Sequence, residues 1–121
     1  MANNRIVHLE IPANQPQVLT EFYSGLFGWK FQKAPVPGVE YWLCETDADG
    51  PGINGAIMQR QNAGQLWMNY VDVASIETAL EKTTKLGAQV ALPKTPVPGV
   101  EAVAAVMDPQ GSLCGLWEKA K

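Results

Sequence analysis

In the stretch "RIVHLEI" the apolar residues Ile6, Val7, Leu9 and Ile11 are interrupted by His8 and Glu10. A period of two marks a strand with one buried face. Pro12 follows, and Asn14 and Pro16 signal entry into a helix. Within "QVLTEFYSGLFG" the positions Val18, Leu19, Phe22 and Leu26 keep helical spacing, and Gly28 supplies a stop. "WKFQKA" reads as a strand, and Pro35, Pro37 and Gly38 as a turn. "VEYWLCET" is a second β-rich run, "DADGPG" a turn, and "INGAIMQ" a closing strand. The order is β-α-β-β-β.

The second half repeats it. "QLWMNYVDV" predicts a strand and Ser75 a helix N-cap, with Glu77 and Glu81 early, Lys82 and Lys85 late, and Gly87 as the stop. "AQVALPK", "VEAVAAVM" and "SLCGLWEK" predict three further strands. The duplication is visible in letters. "KAPVPGVE" at Lys33–Glu40 returns as "KTPVPGVE" at Lys94–Glu101, and Asp47 and Gly50 return as Asp108 and Gly111. Nine of eighteen positions agree over that stretch, where chance gives about one. The repeated phrase is the hairpin between the second and third strands of each copy, where turn chemistry restricts the residue choice. Two copies are too few for a solenoid and imply a pseudo-twofold domain over 1–121, with module one at about 1–62 and module two at about 63–121.

Composition narrows the function. With 121 residues, 46% hydrophobic and 17% charged, the chain suits one ordinary globular domain. A net charge of −3 without like-charge runs argues against nucleic acid and acidic membrane surfaces as partners. The apolar runs are far too short to cross a bilayer. "MANNRIVHLEIP" lacks a secretory signature, so a cytoplasmic location is expected. Cys44 and Cys114 each lie in an apolar strand-like run and read as free buried thiols.

The phrases "VHLEIP", "EFYSGLFGWKF", "VDVASIETALEKTTKLGA" and "DPQGSLCGLWE" resemble the vicinal oxygen chelate superfamily, which includes glyoxalase I, extradiol dioxygenases and bleomycin- and fosfomycin-resistance proteins. The likeness spans nearly the whole chain. It implies an α+β fold of two tandem βαβββ modules whose curved mixed sheets surround a concave pocket, and commonly a homodimer. In glyoxalase-like members a divalent metal is held by four ligands, one each from the first and last strands of both modules. His8 stands at the first of those positions, whereas Gly55, Met68 and Gly115 stand at the other three. Glycine has no ligand atom and a thioether suits soft ions, so the resemblance implies a member lacking the standard metal site.

The residues themselves leave several uses open. His8 and Glu10 share a strand face, as do Met68, Tyr70 and Asp72. His8, Glu10 and Asp72 could hold a divalent ion. Alternatively, His8 and Glu10 form a self-satisfied polar pair, or hydrogen-bonding groups of a ligand pocket. Trp117 should share the face of Gly115, and one of Tyr41 and Trp42 must face the pocket. A flat organic ligand would fill the space that glycines at 55 and 115 leave. The ligand-binding set is thus His8, Glu10, Met68, Tyr70, Asp72, Gly115 and Trp117, with no catalytic residue and no cofactor. The leading expectation is a binder of a small, partly aromatic molecule. Its rivals are a metal-dependent glyoxalase- or dioxygenase-like enzyme built around His8, and a non-catalytic dimeric structural or regulatory module.

Overall fold

A computed structural model describes residues 3–34, 38, 40–46, 52–97 and 100–119 of the chain. Two compact units emerge, His8–Trp67 and Met1–Val7 with Met68–Lys121. The first module consists of β1 (Ile6–Ala13), α1 (Pro16–Phe27), β2 (Lys30–Lys33), β3 (Tyr41–Glu45) and β4 (Gly55–Gln59). Its strands lie in the order β2-β3-β4-β1. β1 and β4 run parallel while the other neighbours are antiparallel. The second module follows with β5 (Met68–Asp72), α2 (Ile76–Lys85), β6 (Gln89–Val97), β7 (Val100–Met107) and β8 (Leu113–Glu118). Its order is β5-β8-β7-β6, with β5 and β8 parallel. The fold is therefore α+β, two tandem βαβββ modules with mixed sheets, as the alternation and the repeat predict.

Each sheet buries one face under its own helix. In the first module Ile11, Ala13 and Ile57 form the buried centre, flanked by Leu9, Leu19, Tyr23, Trp29, Phe31 and Trp42. In the second, Ile76, Ala102, Ala104 and Leu116 are joined by Val73, Ala79, Leu80 and Val106. Burying a side chain the size of isoleucine stabilises by about 1.5–3 kcal/mol, so Ile11, Ile57 and Ile76, all fully enclosed, anchor the two helices. Gly28 closes α1 with φ 75°, and Gly87 follows α2 with φ 87°, the left-handed backbone that glycine takes without strain.

Pro35, Val36, Pro37, Val39, Asp47–Gly50, Pro98 and Gly99 lie outside the described residues. The turn at Asp108 is described: its carboxylate accepts from the backbone N–H of Gln110 (2.9 Å) and Ser112 (3.0 Å), an Asx-type closure. The sequence ends the first strand of the second hairpin near Lys94, but β6 runs on to Val97 with register shifts along it. An edge strand tolerates Pro93 and Pro96 because one side of its backbone needs no partner. None of the described helices is long and apolar enough to cross a membrane.

Candidate functional site

Strand alternation decides what each sheet exposes on the side away from its helix. On β1, Leu9, Ile11 and Ala13 face α1, which turns His8 and Glu10 to the opposite face. On β3, Trp42 packs on the α1 side, so Tyr41 is the member of that pair sharing the face of His8. β4 lies between β3 and β1, so Tyr41 must reach across two strand spacings, roughly 10 Å. On β4, Met58 is paired with Tyr41, and Ala56 with Leu43 and Glu10, so the phenol crosses β4 on a diagonal toward Glu10 and His8.

The result is a hydrogen-bonded chain. The Tyr41 hydroxyl donates to Glu10 Oε2 at 2.9 Å and lies 3.2 Å from His8 Nε2. With its proton engaged by Glu10, the phenol oxygen accepts from an Nε2–H of His8. Burial lowers the His8 pKa below the ordinary 6.5, against an opposing pull from the Glu10 charge. The imidazole is therefore neutral at pH 7. Burial, the Glu10 charge and the hydrogen bond to Glu10 all raise the Tyr41 pKa far above its usual 10, which keeps the phenol protonated. The sequence offers Tyr41 only as one of two candidates; the packing of Trp42 on the α1 side selects it.

The second module places different chemistry on its corresponding face. Tyr70 on β5 pairs with Gly115 on β8, and Asp72 with Trp117. Tyr70 is buried, and its ring lies at the open side of Gly115: a Cβ there would come within 2.4 Å of a ring carbon. The space expected over Gly115 is thus already filled by tyrosine. The Tyr70 and Trp117 rings meet edge to face at 6.0 Å and 70°. Met68 shares that face by alternation and is half-buried. The buried Asp72 carboxylate lies 3.8 Å from the Lys119 ammonium.

Gly55 departs from expectation. It pairs with Leu9, and so lies on the α1 side, opposite to His8. An added Cβ would come within 2.3 Å of the Leu9 carbonyl oxygen, so this glycine permits close strand approach and opens no ligand space. The residue beside Glu10 on the outer face is Ala56, which has no ligand atom either. Among the described residues, no group of three or more His, Cys, Asp and Glu side chains could hold a metal ion.

Two polar residues that the sequence did not single out have clear roles. Glu118 is buried and accepts from the Ile76 backbone N–H at 2.7 Å, placing a carboxylate at the N-terminus of α2. Its Oε2 lies 3.8 Å from the Lys94 ammonium. Alternation with Leu116 on a helix-facing strand was the available signal. Arg60 donates to the backbone carbonyls of Gln65 and, at 3.4 Å, Pro12. It also borders two shallow grooves of about 350 and 460 Å³ near the start of α1. Neither groove includes His8, Glu10 or Tyr41.

The thiols are free and unactivated. Cys44 is buried and its pKa is pushed up to about 11. Cys114 is only half-buried, and its thiol is raised by burial first and the Asp108 charge second.

The tandem βαβββ architecture carries a polar hydrogen-bonded face in one module and an aromatic face in the other. Residues 5–116 match the profile of the Glyoxalase/Bleomycin resistance protein/Dioxygenase superfamily, and the chain belongs to that family. It is 23% identical over 114 residues to "Putative glyoxylase CFP32" of Mycobacterium tuberculosis, a match covering 91% of this chain and 44% of the relative. The chain thus spans less than half the length of that relative. Hypothetical protein BH1468 from Bacillus halodurans shares the fold at a TM-score of 0.75 and 18% identity, covering 98% of this chain and 96% of that one. Methylmalonyl-CoA epimerase from Mycobacterium tuberculosis does so at 0.74 and 13%, covering 99% and 90%.

Proposed function

We propose that this protein binds a small organic molecule, without a metal of the family's standard kind, at the outer sheet face bearing His8, Tyr41 and Glu10. The observation that carries this reading is the part-buried hydrogen-bonded chain of those three side chains. Polar groups held together on a sheet face are suited to orienting a ligand, while apolar surface around them supplies affinity. His8 is neutral, so the face offers an acceptor carboxylate and no histidine cation. Ligands bearing hydrogen-bond donors or a positive charge fit it better than anions. Tyr70 and Trp117, with Met68, Asp72 and Gly115 on the same face of their own module, suit an aromatic group. The protein acts as a homodimer in this reading.

The test is thermal unfolding of chelator-treated protein against nickel, zinc, manganese, iron(II) and cobalt, and against aromatic amines, aromatic acids and methylmalonyl-CoA. The last belongs in the panel because a methylmalonyl-CoA epimerase of the same fold has been solved in complex with it. Ligand at about 100-fold over its dissociation constant adds roughly 2.7 kcal/mol, a shift of several degrees. An amine-induced shift that vanishes in Tyr41→Phe and His8→Ala supports the reading. A metal-induced shift abolished by His8→Ala would sink it in favour of a metalloenzyme. No shift with any compound would favour a structural module.

A further inference from the structure

The parallel strands β1 and β4 end on the paired residues Ala13 and Gln59. The chain therefore leaves both strands side by side, at Asn14 and Arg60, and these two residues line both of the grooves of about 350 and 460 Å³. Arg60 is held in place there. Its backbone N–H donates to the Ala13 carbonyl at 2.8 Å, and its guanidinium to the carbonyls of Gln65 and, at 3.4 Å, Pro12. The turn that follows is closed as well: the Gln61 N–H donates to Gln65 Oε1 at 2.8 Å and the Gln65 N–H to the Asn62 carbonyl at 3.2 Å. A guanidinium carries five N–H donors, so these contacts leave some of them for a further acceptor. Arg60 forms no ion pair with the described residues. Among the described residues lining the grooves it is also the only charged one, set between the amides of Asn14, Gln61 and Asn62 and the apolar side chains of Val18 and Leu19.

We propose that these grooves form a second binding site, apart from the His8 face, for a small organic monocarboxylate with a short apolar body. The carboxylate sits on Arg60 and the hydrocarbon on Val18 and Leu19. A planar guanidinium matches a carboxylate through parallel N–H···O bonds. The neighbouring amides supply donors for the remaining carboxylate lone pairs. One cation neutralises one negative charge, so a phosphate dianion would leave charge in excess beside a chain that is itself at −3. Both volumes, about 350 and 460 Å³, fall within the roughly 300–1,000 Å³ of small-molecule sites. Because backbone carbonyls already fix the Arg60 side chain, binding loses little of its rotamer freedom.

Amide NMR titration of isotope-labelled protein at low ionic strength tests it, following the backbone signals and the Arg60 Nε–H, with isovalerate, acetate, inorganic phosphate and isoamylamine as probes. Isovalerate should move the Arg60 Nε–H and the Asn14, Gln61 and Asn62 amides saturably, with a dissociation constant on the order of 1 mM for so open a site. Acetate should bind about tenfold more weakly, because it lacks the chain that covers Val18 and Leu19. Isoamylamine should leave these signals in place. Val18 is exposed, so Val18→Asp sets a negative charge in the groove without touching the bonds of Arg60. It should weaken isovalerate by about tenfold or more. Arg60→Gln should do the same, and Val18→Asp decides the matter if Arg60→Gln disorders the turn. No saturable shift by about 50 mM isovalerate, equal shifts with isoamylamine, or an affinity unchanged in Val18→Asp overturns the site. Isovalerate shifts confined to the strands around His8 and Tyr41 overturn its placement. Phosphate binding as tightly as isovalerate overturns the monocarboxylate class.

Discussion

The two modules share one plan and use it differently. Beneath each helix the sheet presents small and branched apolar residues: Ile11, Ala13 and Ile57 under α1, and Ala102, Ala104 and Leu116 under α2. On the outer faces they part company. One carries His8, Tyr41 and Glu10 in a hydrogen-bonded chain; the other carries Tyr70 and Trp117 edge to face beside Gly115. Packing against a helix constrains volume closely, whereas the outer face is free to differ. The helices diverge too. α2 has a Ser75 cap accepting from Thr78, an early Glu77, and Lys82 and Lys85 at its end, whereas α1 has none of these.

If the helix-side cores are equivalent, truncating either should cost alike. Ile57→Ala and Ile76→Ala remove fully enclosed side chains, so each should lose about 2–5 kcal/mol by urea unfolding. A cost under about 1 kcal/mol in one of them would show that its core relaxes and that the modules are not packed alike.

The two glycines sharpen the contrast. A Cβ at Gly55 meets the Leu9 backbone carbonyl, and one at Gly115 meets the Tyr70 ring. Backbone in a paired strand cannot retreat, but a ring can turn. Gly55→Ala should cost about 3 kcal/mol and Gly115→Ala about 1 kcal/mol. Adding Tyr70→Leu should recover part of the second loss and none of the first. The reverse order would mean that β1 and β4 yield more readily than the aromatic pair.

These glycines also mark where the sequence stops being legible. Period-two and period-3.6 patterns locate all ten elements of the described residues, because burial imposes them on the chain. That Gly115 shares a face with Trp117, and Tyr70 with Met68 and Asp72, follows from alternation; that Gly115 stands opposite Tyr70 is a matter of register. Gly55 lies on the face opposite to the one expected, because a one-residue slip in register inverts every side chain. The same slip runs through the repeat itself. Letter for letter, Tyr41 corresponds to Ala102, yet Tyr41 lies on the outer face and Ala102 in the core under α2. Identical turn phrases therefore do not carry identical faces, and the register shifts between β6 and β7 are absent from any periodicity. Glu118 escapes a sequence reading for a related reason: its partner is the Ile76 backbone, distant along the chain.

The helix ends offer a smaller test. Glu118→Gln should cost about 1–2 kcal/mol, the difference between a charged and a neutral hydrogen bond at a buried helix start. Gln15→Ser should stabilise α1 by about 0.5–1 kcal/mol, because no side chain caps it at present. An unchanged stability in Gln15→Ser would show that α1 is held by packing alone.

The smallest expected effect separates the outer faces by pH. His8 is the chain's single histidine, so any stability slope between about pH 5.5 and 7 belongs to the first module. Its folded pKa is lowered by burial, while the unfolded value is about 6.5. The unfolded chain therefore takes up the proton first. The stability that His8 contributes is complete above about pH 6.5 and falls as pH drops through the folded pKa. The lowered carboxyl pKa values of Glu77 and Asp108 act with the same sign but at more acid pH. Urea unfolding at about pH 7.5 and 5.5 should show this loss in the wild type and a flatter response in His8→Gln. Tyr70→Phe, on the other face, should leave the slope unchanged. A wild type that gains stability toward about pH 5.5 would mean that the Glu10 charge outweighs burial at His8, so that the imidazole is held as a cation and the ligand preference turns toward anions.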